Sequence, residues 1–230
     1  MTRLCCALLA IGSVYVAAPR ASSTIGPSGP TILERFLARV NEPPVEYRAF
    51  RHLEAENPHF RQSATMDAWT EFDHADGFRY QVVAETGSGY IRKRVLLAAL
   101  DGEQKLWANR DPDRASFSHE NYTFQEGTAA ADGLASLLVT PRRRDVLLVE
   151  GSVFVQKEGD LVRIEGRLSK APSFWTRRVD VVRRYARMAG VRVPVSFESV
   201  ASVRIAGRST FKMTYDYEII NGHRIKPQTP

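Results

Sequence analysis

The sequence predicts a mostly β protein with helices: an unclosed antiparallel β-barrel, a half-barrel of about ten strands wrapping around one or two helices. Three observations predict it. Residues 145–221 alternate apolar and polar side chains almost without a break, the rhythm of strands with one dry and one wet face. The links between alternating segments are short: Glu158, Gly159 and Asp160, then Ala189 and Gly190, then Ala206, Gly207 and Arg208. Such links make an antiparallel meander, and long strands in a meander twist until the sheet curls. Ahead of this ladder lies a helix with a broad apolar face, which the curl can enclose.

Taken in order, the chain opens on Met1, Thr2 and Arg3, followed by an apolar run over 4–18 and small residues at Ala17, Ala18 and Ala21. Residues 1–21 read as a secretory signal peptide. The run is shorter than the ~20 residues that span a bilayer, and nothing later is longer, so no transmembrane segment is expected in the mature chain. Both cysteines, Cys5 and Cys6, leave with the leader, which excludes disulfide and thiolate chemistry. The expected location is outside the cytoplasm, in the periplasm or cell envelope.

Residues 22–30, rich in Ser, Gly and Pro, form a flexible lead-in. Thr31 and Glu34 make a capping box, and Ile32, Leu33, Phe36, Leu37 and Val40 follow at helical spacing until Asn41, Pro43 and Pro44 stop the helix. Three strands come next. Tyr47, Ala49, Leu53 and Ala55 alternate with Arg48, His52 and Glu54. Ala64, Met66, Ala68, Thr70 and Phe72 oppose Thr65, Asp67, Trp69 and Glu71. Phe78, Tyr80, Val82 and Ala84 oppose Arg79, Gln81 and Glu85.

Gly87, Ser88 and Gly89 then lead into the inserted helix. Ile91, Val95 and Ala98 form its stripe, Leu96, Leu97 and Leu100 widen it, and Arg92, Lys93 and Arg94 lie opposite. Gly102 is expected to kink or end the helix, with Leu106 and Trp107 in a second short one. Tyr122 with Phe124, then 135–139, open further strands. The ladder follows with Leu147, Val149, Val153 and Val155; Val162, Ile164, Gly166 and Leu168; the odd positions from Val191 through Phe197 to Ile205; and Phe211, Met213, Tyr215, Tyr217 and Ile219. Residues 31–221 are expected to be one domain, monomeric, with a loose tail over 222–230.

At 230 residues, 43% hydrophobic and 25% charged, the chain is long enough for one sizeable core. The formal charge of +6 falls to about +4 without Arg3 and Arg20, and its basic residues are mostly single arginines on strand faces, so nucleic acid is not an expected partner. His52, His59, His74, His119 and His223 lack the spacing of a metal site. No P-loop or dinucleotide fingerprint occurs, and Gly87, Ser88 and Gly89 lack the context of a nucleophile turn. Glu165, Asp180, Glu198 and Asp216 read as solvated carboxylates. No catalytic residue, metal or cofactor is expected, and no enzymatic activity.

Two features stay open. Arg142, Arg143 and Arg144 are the densest basic run, either a solvated turn or a contact for anionic lipid headgroups or an acidic partner. Phe174 and Trp175 either plug the end of the sheet or form a lid or lip that touches membrane. Asn121 to Thr123 also matches the N-glycosylation pattern.

The leader, the short helix, the inserted apolar helix and the terminal meander, with segments 145–151, 160–166, 172–175 and 207–215, resemble the exported lipoprotein-carrier (Lol-type) superfamily. Its members include the periplasmic carrier and outer-membrane receptor of lipoprotein sorting. The resemblance implies an unclosed barrel around helices, with a hydrophobic cavity that accepts acyl chains, and it carries over no individual residue role. The expected function is binding of a lipid or acyl chain, or an acylated protein, between sheet and helix. Leu97, Leu100, Phe197, Phe211, Met213 and Tyr215 are the expected cavity lining, although ordinary core packing is the commoner use of such residues. The alternative is a protein-protein interaction module of the cell envelope with a filled core.

Overall fold

The computed structural model describes residues 29–39, 42–109 and 112–226. The expected leader, most of the lead-in and the last four residues lie outside the described residues. The first helix, α1 (Ile32–Ala38), starts as its capping box dictates: Thr31 accepts from the Glu34 N–H at 3.2 Å while Glu34 accepts from the Thr31 N–H at 2.7 Å. Its buried face, Phe36 and Leu37, packs into the core.

Eleven strands follow: β1 (Tyr47–Asn57), β2 (Gln62–Asp73), β3 (Gly77–Gly87), β4 (Tyr122–Glu126), β5 (Ala135–Pro141), β6 (Val149–Val155), β7 (Leu161–Leu168), β8 (Thr176–Met188), β9 (Val191–Val203), β10 (Gly207–Ile220) and β11 (His223–Arg224). They form one antiparallel sheet in the order β3-β2-β1-β10-β9-β8-β7-β6-β5-β4, with β11 against β10. The meander read from the sequence is therefore present, and the amino-terminal hairpins extend it because β1 pairs with β10, Leu53 opposite Met213 and Ala55 opposite Phe211. The two outermost strands, β3 and β4, are not paired with each other, so the curl stays open.

Between β3 and β4 in the chain comes the inserted helix, packed on β1, β2 and β3: α2 (Gly89–Ile91), a π-turn (Arg92–Leu96) and α3 (Leu97–Asn109) in continuous succession. Ser88 caps its start, accepting from the Ile91 N–H. The helix does not end at Gly102 but runs through it to Asn109. Residues on both sides of that glycine are fastened to the sheet, Asp101 to Tyr80, Glu103 to Arg51 and Gln104 to the Phe78 carbonyl, and this tertiary hold overrides the weak propensity of one glycine.

Three further expectations are corrected. The alternation in β10 changes phase near Glu218, where the register with β1 shifts, so Ile220 is fully buried and Ile219 only half so. Ile205 is not part of the dry face of β9; it stands in the β9–β10 turn, 79% exposed. Residues 223–224 are not loose, because β11 folds back on β10 and the Ile225 N–H donates to the Glu218 carbonyl.

The concave face holds one large apolar cluster, in which Ile91, Leu96, Ala99 and Leu100 of the helix meet Leu53, Met66, Phe197, Phe211 and Met213 of the sheet. A smaller aromatic cluster, including Tyr47, Phe72, Phe78 and Tyr217, occupies the end formed by the β2–β3 and β8–β9 turns. Trp107 of α3 lies against Phe72 there, ring centroids 4.1 Å apart.

Candidate functional site

The space between helix and sheet is where the expected lining residues come together. Leu100, Phe197, Phe211 and Met213 are buried in the main cluster, and Leu97 and Tyr215 pack half-buried against it. An internal cavity of about 20 Å³ lies beside Phe197, bounded also by Phe117, Tyr122, Val149, Ile164 and Val181. That is room for about one water, far short of an acyl chain.

The other half of the concavity is polar, which the sequence reading missed. Arg51 is 1% exposed yet points inward from β1. Its guanidinium donates to both Glu103 carboxylate oxygens at 2.6 and 3.0 Å and to the Tyr47 hydroxyl at 3.0 Å. It also lies over the Tyr215 ring at 4.6 Å and the Phe78 ring at 5.1 Å. Burial alone would lower the Arg51 pKa, but the Glu103 carboxylate outweighs it and the net direction is upward. Burial drives the Tyr47, Tyr215 and Tyr217 hydroxyls upward, so all three are neutral at physiological pH. Tyr80 is pushed up to about 12 by burial and by its 2.5 Å hydrogen bond to Asp101. Arg183 and Arg192 are also buried beside Tyr185. A positional signal for Arg51 exists in the sequence: it shares odd numbering with Tyr47, Ala49, Leu53 and Ala55.

Between the helix and the turn that joins β5 to β6 lies a groove of about 510 Å³. Ala98, Gly102 and Leu106 of α3 form one wall and Val146 and Leu147, in the turn between β5 and β6, form the other. Lys93, Arg94, Lys105 and Arg114 stand around it, with Asp101 as the acid among them. Its volume is within the usual range of small-molecule sites, and its combination of apolar walls and cationic rim suits an amphiphilic anion.

The turn that supplies Val146 and Leu147 is held by Asp145. Its carboxylate accepts from Arg114 Nε at 2.8 Å and from the Leu147 N–H at 3.0 Å, while its own N–H donates to Ser169 Oγ at 3.0 Å. Burial raises the Asp145 pKa, and the Arg114 and Leu147 hydrogen bonds reverse the direction, so the net shift is downward. On the same turn, Arg142, Arg143 and Arg144 open onto a separate pocket of about 650 Å³ shared with Arg167, Arg177 and Arg178. Arg142 and Arg143 also brace the turn, through the Tyr122 carbonyl and the Asn121 side chain. Asn121 itself is buried and donates to the Ser116 carbonyl at 2.8 Å, so the glycosylation pattern there serves packing.

Phe174 and Trp175 do not plug the sheet. They stand 73% and 39% exposed in the β7–β8 connection, edge to face with each other. Among the described residues, no group of three His, Cys, Asp or Glu side chains is placed to hold a metal, and no helix is long and apolar enough to cross a membrane.

No family model and no curated protein matches the sequence. Two solved structures are similar in fold. A LolA superfamily protein from Nitrosomonas europaea is 13% identical, with a TM-score of 0.39 over 85% of this chain and 93% of its own. A DUF1329 family protein from Desulfovibrio piger is 10% identical, with a TM-score of 0.38 over 75% of this chain and 84% of its own. Both are likenesses of fold, and no residue role passes from either to this chain.

Proposed function

We propose that this is an exported, non-enzymatic, carrier-like protein of the cell envelope that binds a lipid or acyl chain, free or attached to a protein, between helix and sheet. The observation that carries the reading is the 510 Å³ groove beside α3, apolar along its walls and cationic at its rim. An acyl chain seated there leaves water at ~25 cal/mol for each Å² buried, while Lys93, Arg94 and Lys105 face an anionic head. Leu97 and Leu100 lie on the same helix, and with Phe197, Phe211, Met213 and Tyr215 they form the surface that a longer chain reaches if the helix lifts.

The test is direct. Purified protein is extracted with organic solvent and the extract is weighed by mass spectrometry for lipid in stoichiometric amount, and a fluorescent fatty acid is titrated into the extracted protein. Lipid in the extract or saturable binding is expected, with affinity falling about tenfold when Leu106→Trp and Val146→Trp narrow the groove. A clean extract together with no fatty-acid binding overturns the proposal. The closely packed interior favours one second reading, the envelope interaction module with a filled core, which that same negative result would leave standing.

A further inference from the structure

The two most exposed large apolar side chains, Ile205 and Phe174, stand at one end of the sheet, with Trp175 and Phe60 beside them. Antiparallel pairing brings the β1–β2 turn, the β7–β8 connection and the β9–β10 turn to the same end, and these carry Phe60 at 52%, Phe174 at 73%, Trp175 at 39% and Ile205 at 79% exposure. The turns touch one another. The Arg204 N–H donates to the Trp175 carbonyl at 2.8 Å, and Asn57 Nδ2 donates to the Ala206 carbonyl at 3.0 Å and to Ser209 Oγ at 2.8 Å. Ile205 sits in the left-handed region at φ +71°, a conformation that β-branched residues avoid. Nothing in the packing of so exposed a side chain rewards that strain.

Around these side chains the charge is mostly of one sign. Arg61, Arg142, Arg143, Arg144, Lys170, Arg177, Arg204 and Arg208 are all exposed at this end, against exposed Glu56 and Glu120. Arg204 lies over the Phe174 ring at 4.7 Å, so cation and aromatic are presented together. The 650 Å³ arginine pocket opens here as well, its Glu150 engaged by Arg167 at 2.9 Å. The turns at the opposite end carry both signs, exposed Asp76, Asp132 and Glu158 with exposed Lys157, Arg187, Arg224 and Lys226.

We infer that this end of the sheet docks on an anionic phospholipid surface, Phe60, Phe174, Trp175 and Ile205 entering the interfacial layer and the arginines meeting phosphates. Aromatic tips with clustered basic residues are what an acidic bilayer surface recognises. An acidic protein is the poorer fit, because the apolar groups, Phe60, Ile205 and the Phe174–Trp175 pair, are spread over three turns with arginines among them and make no continuous dry centre for a protein interface. The inference stands apart from acyl binding in the groove, since it uses neither the groove nor its lining.

The test is flotation of the full-length chain with vesicles of phosphatidylcholine alone and of phosphatidylcholine mixed with phosphatidylglycerol. Binding to the mixed vesicles that weakens as salt rises is expected. The triple variant Phe174→Ser, Trp175→Ser, Ile205→Ser should lower that partition at least ~tenfold. Arg61→Gln with Arg177→Gln and Arg208→Gln, side chains that hold no hydrogen bond or ion pair among the described residues, should lower it roughly a hundredfold on the mixed vesicles. Val45→Ser, exposed at the opposite end, should change nothing. All variants are compared in otherwise identical chains with matched melting curves. Failure to float with the mixed vesicles, equal partition of wild type and both triple variants, or a loss as large from Val45→Ser overturns the inference. Capture on immobilised polyglutamate without vesicle binding also overturns it, in favour of an acidic protein partner.

Discussion

Arg51 is the side chain whose removal the interior can least absorb. It reaches from β1 across the concavity to Glu103 on α3, Arg51 itself out of water and the Glu103 side chain largely so. Replacing Arg51 by Met leaves the Glu103 carboxylate without its counter-charge and should cost about 3–5 kcal/mol in urea unfolding, whereas Arg51→Met combined with Glu103→Leu should cost much less. A double-variant loss equal to the sum of the Arg51→Met and Glu103→Leu losses would show that the pair is not coupled. Acid acts at the same scale. The Asp160 pKa is pushed up by burial and, more strongly, down by Arg187 and Arg39, and Asp145 is likewise net lowered. A depressed folded-state pKa gives stability that is fully present above the unfolded value of 3.8 and lost as pH falls through the folded one. The melting temperature should therefore drop below about pH 4, and the deficit of Asp160→Asn relative to wild type should shrink over the same range. A deficit that stays constant down to acid pH would remove this carboxylate from the account.

Elements were legible where one period ran uninterrupted. The Phe211, Met213 and Tyr215 phase gave most of β10, and Thr31 with Glu34 gave the start of α1, because each pattern is decided within a few residues. What lay beyond reach depended on contacts distant in sequence. The phase change near Glu218 needs β1 as its neighbour, the passage of α3 through Gly102 needs three partners on other elements, and the outward Ile205 needs knowledge of where β9 ends. Arg51 was overlooked for a different reason: residue type argued for the wet face while position argued for the dry one, and position was right. The α1 helix adds a test of element packing. Gly159 has φ +84°, and a Cβ there would stand 2.6 Å from the Arg35 carbonyl carbon and oxygen. Gly159→Ala should therefore push α1 off the β6–β7 turn and lose about 2 kcal/mol by denaturant melting; a neutral substitution would show that α1 is not seated on that turn.

The described residues form a curled sheet with free edges at β3 and β4 and a helix packed on β1, β2 and β3. Ligand binding at such a helix should appear as global stability. At a lipid concentration about 100 times its dissociation constant, the folded state gains ~2.7 kcal/mol, which for a chain of this size raises the melting temperature by roughly 5–10 °C. A melting curve that ignores saturating fatty acid would argue against a seat in the groove. The site was only half legible: the sequence supplied the helix and the greasy strands, but the groove has one wall at Val146 and Leu147, which no periodicity joins to α3.

That wall belongs to a turn with two faces. Residues 142–144 open on the arginine pocket, and a few positions on, Val146 and Leu147 line the groove. A molecule settled on a bilayer through the first face would hold the mouth of the second close to the headgroups. A hydrocarbon tail leaving the leaflet would then pass from one oily phase to another along a single strand connection, spared the ~0.8 kcal/mol per methylene that a journey through open water demands.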